Sequence, residues 1–162
     1  MTRGTLITRR LMPALLAAGL SVAIFFVLGR RSGRDQLYIR LCRGNIGCVL
    51  LACQMYASDH NGRFPDSWSD VRLYAGPVAE QFDCPAGGRD RGAISNVNDW
   101  ADYVLVGGVT ERDLPSTILI YEPLANHGGR GGHIVFANGT IKWCSPADYA
   151  SLGFPDDSEE IQ

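Results

Sequence analysis

The chain has 162 residues with a formal charge of −2, 46% hydrophobic and 20% charged. That length fits one domain with room for an anchor, and that hydrophobic content excludes a largely disordered chain. The charge excludes a basic nucleic-acid binder, so no nucleic-acid partner is expected.

The average hides an asymmetry. Residues 1–31 hold five Arg and no acid, whereas residues 32–162 hold ten basic and seventeen acidic residues, a formal charge of −7. Leu11 to Leu28 carries no charge. As a helix it reaches roughly 27 Å, close to the ~30 Å of a bilayer core. Arg9-Arg10 and Arg30-Arg31 bracket it. Residues 1–10 therefore read as a basic flank and 11–29 as a membrane-spanning helix. Residues 30–154 read as the folded domain and 155–162 as an acidic disordered tail. A cleaved signal peptide is the competing reading of the start, but cleavage near Ala23 leaves an apolar Ile24 to Leu28 at the new terminus. The expected location is the inner membrane, single-pass, with the domain outside the cytoplasm. The Arg count on the two flanks argues the other way.

From Asp35 to Ser58 the pattern is helical. Cys42, Ile46, Val49, Cys53 and Tyr56 step by four and three and form one stripe. Gly44 and Gly47 each weaken the helix by about 1 kcal/mol, so packing must hold it. Asn61-Gly62 supplies a left-handed stop and Pro65 forbids continuation. Asp59, His60 and Asn61 do not match a calcium loop. Ser67 or Ser69 caps a short helix over Trp68 to Tyr74. Gly87 to Asp99 reads as an exposed loop, and Tyr103–Val109 and Thr117–Tyr121 as strands.

His133 to Ala137 and Thr140 to Cys144 flank Asn138-Gly139. A two-residue type I′ hairpin is expected, with Phe136 opposite Ile141 and Ile134 opposite Trp143. Ile134, Phe136, Ile141 and Trp143 then share the face that packs on the Cys42–Tyr56 stripe. The fold class is α+β, a long helix on a small antiparallel sheet.

Chemistry is sparse. No nucleophile elbow, zincin or dinucleotide motif occurs, so no enzyme and no cofactor are expected. His127 and His133 with Glu122 or Asp102 are the one grouping that suggests metal ligands. Two His six residues apart across a Gly run are not a standard ligand spacing, and Cys42, Cys48 and Cys53 lack the paired spacing of a zinc knuckle, so no metal is expected. Gly128 to Gly132, with Arg130, reads as a loop tip rather than an anion cradle. A weak ligand face is drawn from His127, Arg130, His133 and Asn138. Five Cys leave one over if disulfides form, and Cys84 with Cys144 is the leading pair.

Several segments together resemble a known family. Cys42-Arg43-Gly44-Asn45, then Gln54 through Pro65, then Phe82-Asp83-Cys84-Pro85, and finally His127 to Trp143, resemble prepilin-type proteins, which are similar to the major pseudopilins of type II secretion. The resemblance covers Cys42 to Cys144. It implies a pilin-like fold and a non-enzymatic, membrane-anchored part in a secretion or pilus-type assembly. It also implies the lipid bilayer and other pilin-like subunits as partners. A different class, a pilin-fold binding module using the His127–His133 loop, is the alternative. The chain departs from the family twice. No Glu follows Gly4 at the fifth mature position, and ten residues separate His127 from Asn138-Gly139 where the family has nine before Asp-Gly.

Overall fold

The computed structural model describes residues 33–76, 79–88 and 90–154. The chain divides into two compact units, Met1–Leu37 and Tyr38–Gln162. Of the first, residues 33–37 are described and are helical. The second holds the core and, among the described residues, every strand.

Residues 33–59 form helix α1. The helical stripe places Cys42, Ile46, Val49 and Cys53 at zero exposure, and Tyr56 is half-buried. Each aliphatic side chain so buried contributes about 1.5–3 kcal/mol, which outweighs the two glycines. The helix ends as its sequence predicts. Asn61 and Gly62 take positive φ (56° and 80°), and the Gly62 amide donates to the Ala57 carbonyl at 2.8 Å. Phe64 then enters the core. Helix α2 (Trp68–Ala75) starts at Ser67, whose amide and hydroxyl both donate to the Asp70 carboxylate. Two 3-10 turns follow, Ala79–Phe82 and Ile94–Asp99. The second corrects the exposed-loop expectation for Gly87 to Asp99, because Val97 is fully buried there.

Strands β1 (Val104–Leu105), β2 (Ile118–Tyr121), β3 (Gly132–Phe136) and β4 (Ile141–Cys144) form an antiparallel sheet in that order. Helix α3 (Pro146–Ser151) closes the described fold, capped by the Ser145 hydroxyl accepting from the Asp148 amide. The α+β class stands. One core joins α1, α2 and one sheet face; a second lies on the other face around Ile134, Cys144 and Tyr149.

The hairpin register is one residue off the expectation. Val135 opposes Ile141, Ile134 opposes Lys142 and His133 opposes Trp143. The cause lies in the turn. A type I′ turn needs positive φ at both central residues, and Asn61 is the one non-glycine with positive φ among the described residues. Asn138 therefore cannot fill that role. Instead the Gly139 amide donates to the Phe136 carbonyl at 2.8 Å, with Gly139 at φ +83°. That is a three-residue loop ending in a glycine bulge. A one-residue slip reverses faces. Val135 and Ile141 join the α1 core, whereas Ile134 and Phe136 turn to the α3 side with Cys144. The expected shared face of Ile134, Phe136, Ile141 and Trp143 is thus split.

The single-pass inner-membrane expectation is also corrected: among the described residues no helix is long and apolar enough to cross a membrane. The span predicted at 11–29, the flank 1–10 and the tail 155–162 lie outside the described residues.

Candidate functional site

Most of the buried polar side chains among the described residues meet in one place; Asp83, paired with Arg91, is the exception. Glu122 follows β2 directly, and Pro123 turns the chain into the 3-10 turn Leu124–His127. That turn brings His127 back over Glu122, with Nε2 3.1 Å from Oε1. The same Nε2 lies 3.5 Å from Cys84 Sγ. Cys84 comes from the loop after Ala79–Phe82, and Cys42 from α1. Sγ of Cys42, Sγ of Cys84, a Glu122 oxygen and a His127 nitrogen all lie within 4.8 Å of one another. None of the four residues is more than 2% exposed.

A second layer orients this group. His133, on β3, holds the outer oxygen of Glu122: its amide donates at 3.2 Å and its Nδ1 lies 2.8 Å away. The Tyr149 hydroxyl donates to the Glu122 carbonyl at 2.6 Å. The Cys84 amide donates to Asp102 Oδ2 at 2.8 Å, and Asn126 Nδ2 donates to the Asp102 carbonyl at 2.9 Å. Asn45, one turn after Cys42, donates to the carbonyls of Glu80 and Asp83 and so ties α1 to the loop that carries Cys84. Trp143 packs edge-on against both imidazoles, at 5.1 and 5.0 Å.

Gly128, Gly129 and Arg130 are exposed, as a loop tip should be, but Gly131 and Gly132 at the end of the run are buried and belong to this construction. A Cβ on Gly132 would stand 2.5 Å from the Glu122 carbonyl oxygen and 2.6 Å from the Tyr149 hydroxyl. Only glycine lets β3 begin so close to Glu122. Gly87 does the same beside Asp102, where a Cβ would meet Oδ2 at 2.8 Å.

The electrostatics reflect the crowding. Burial alone raises the Glu122 carboxyl, but hydrogen bonds with His127, His133 and Cys84 hold it far below the usual carboxylate range. Burial opposes a charge on His127, yet its contacts with Cys84 and Glu122 carry it up to about 9. The Cys84 thiol is pushed well up, first by its contact with the Cys42 thiol and then by burial.

The candidate ligand face does not assemble. His127 and His133 are buried, Arg130 is exposed with its Nε on the His127 carbonyl at 3.0 Å, and Asn138 sits at the far hairpin tip. The Cys84–Cys144 pairing fails as well. All five cysteines are free thiols, and Cys144 points to the α3 side of the sheet while Cys84 packs in the α1 core. Sequence reasoning groups His127 with Glu122 as one option but assigns Cys42 and Cys84 to packing and to a disulfide. The local signal is the five-residue step from Glu122 to His127; the partners come from elsewhere in the chain.

No family model, curated protein or solved structure matches the chain.

Proposed function

We propose that the domain is a non-enzymatic structural subunit of pilin-like kind, which joins like subunits through the outer face of α1. The observation that carries this reading is Gly44. It is exposed in mid-helix, and a Cβ there would meet nothing within 4 Å. Glycine costs a helix interior about 1 kcal/mol relative to alanine, and packing within the domain gives no return for that cost. A small residue in a helix seam is useful when a second helix must come close.

The rest of that face supports the same reading. Leu41, Gly44, Cys48, Leu51 and Met55 follow the alternating three- and four-residue steps of a coiled-coil seam. All five are exposed, with Leu51 at 58%. Meanwhile Cys42, Cys84, Glu122, His127 and His133 are closed off from any substrate. That burial also takes His127 and His133 away from a surface ligand, so the binding-module alternative loses its main groups.

Sedimentation velocity of the full-length chain, alone and mixed with a Leu51→Asp, Met55→Asp double variant, tests the reading. Concentration-dependent association of the wild type, lost in the variant with an unchanged melting temperature, is the expected result. A wild-type chain that stays monomeric at every concentration refutes self-association through this face.

A further inference from the structure

We propose that Cys42, Cys84, Glu122 and His127 bind one zinc ion in a closed tetrahedral site that staples α1 to the sheet. This inference stands apart from the assembly reading, since it concerns the sealed core and not the outer face of α1.

The geometry comes first. Zinc takes sulfur at about 2.3 Å, nitrogen at about 2.0–2.1 Å and carboxylate oxygen at about 2.0–2.2 Å, almost always in a tetrahedron in structural sites. Those bond lengths imply edges of about 3.6 Å between N and S and about 3.4 Å between N and O. The corresponding separations are 3.5 Å from His127 Nε2 to Cys84 Sγ and 3.1 Å to Glu122 Oε1. One donor atom from each residue, with all pairs inside 4.8 Å, is the size of one coordination shell.

The chemistry of the donors comes second. Without a cation, the cluster asks one imidazole nitrogen to serve both a carboxylate oxygen and a sulfur, and crowds two weakly donating thiols against each other and against that same carboxylate. A zinc ion satisfies all four at once. The two thiol protons leave on binding, because thiolate is the ligand. Two thiolates, an imidazole and a carboxylate suit zinc better than calcium or magnesium, which select oxygen.

The surroundings come third. A ligating carboxylate needs its free oxygen oriented, and His133 does this with two contacts to Glu122 Oε2. Asp102 and Asn45 fix the two cysteine-bearing segments through the Cys84 amide and the Glu80 and Asp83 carbonyls. Every ligand is a protein atom and all four residues are buried, so no position remains open to substrate, as expected of a structural rather than a catalytic ion.

The test uses the full-length chain, purified with zinc present and without chelator. Elemental analysis is expected to give one zinc per chain. Titration of the metal-stripped chain with cobalt(II) is expected to give a thiolate-to-metal charge-transfer band and the intense visible bands of tetrahedral cobalt, saturating at one equivalent. Cys84→Ser, which leaves Cys42 as the one thiolate of the site, is expected to lose at least half of that charge-transfer absorbance, and Cys48→Ser, which removes an exposed thiol outside the cluster, to keep all of it. His133→Gln, a positioning variant, should keep the spectrum while weakening affinity about 10–100-fold. Because the wild-type spectrum decides the matter alone, a variant that fails to fold does not obscure the answer. A wild-type chain that carries no zinc and yields no charge-transfer band overturns the proposal. So does a non-reducing digest that recovers Cys42 and Cys84 joined as a disulfide.

Discussion

Exchanging one residue for Asp at two neighbouring positions of β3 separates the observed register from the one the Asn-Gly turn first suggests. Val135 has no exposed surface and packs in the α1 core opposite Ile141. An Asp there must be neutralised or carry an unpaired charge. Holding a carboxyl of ordinary pKa protonated at pH 7 costs about 4 kcal/mol. The lost Val burial adds about 2 kcal/mol, and an unsatisfied buried polar group about 1–3 kcal/mol. The total, about 7–9 kcal/mol, rivals the whole stability of a typical domain, about 5–15 kcal/mol. Phe136 is half-buried at the edge of the second core. An Asp there can reach water, and the loss is about half of a Phe burial, ~1–1.5 kcal/mol. Thermal melting by circular dichroism is therefore expected to find Val135→Asp unfolded or nearly so at pH 7. Phe136→Asp should melt lower by only a few degrees, at roughly 2–8 °C per kcal/mol. The sign with pH is also fixed. The carboxyl that Val135→Asp introduces has a folded pKa raised above its unfolded value, so its penalty shrinks as pH falls toward 4. If Phe136→Asp unfolds and Val135→Asp melts like the wild type, the register is wrong by one residue.

Gly44→Ala should raise the melting temperature, since about 1 kcal/mol of helix propensity is recovered at an open position, while weakening self-association by sedimentation. Tighter association of this variant would contradict the seam. Burial pushes the Cys53 thiol up to about 12, so it stays protonated and unmodified in the folded chain at pH 8, whereas Cys48 is exposed. Native-state alkylation with peptide mass mapping should label Cys48 first, and rapid labelling of Cys53 would show that α1 is not held against the core.

The helix and its stop are legible in the sequence because their signals are local. The three-four spacing of Cys42, Ile46, Val49 and Cys53 survives into the core unchanged, and Asn61-Gly62 takes the left-handed turn its chemistry predicts. Ser67 caps α2 for the same reason. The hairpin is half legible. Asn138-Gly139 announces a turn, but glycine can serve either as the second centre of a type I′ turn or as the bulge residue of a longer loop. Those alternatives differ by one residue of register, and so by which face of β3 is inside. The Cys42, Cys84, Glu122 and His127 cluster is the least legible part. Its members come from α1, a loop, a strand end and a 3-10 turn, so no spacing along the chain records their meeting. Each residue alone has a more ordinary explanation, as packing, disulfide or loop histidine.

The limits of the sheet carry a consequence for how copies of this domain can meet. Its outer strands are β1, two residues long, and β4, four residues long and bearing exposed Lys142, the one lysine of the chain. A strand edge recruits another chain by offering a run of unpaired amides and carbonyls. Brevity and an outward charge are the usual defences against that. One border here offers two residues and the other a cation, so strand addition between copies is disfavoured on both sides.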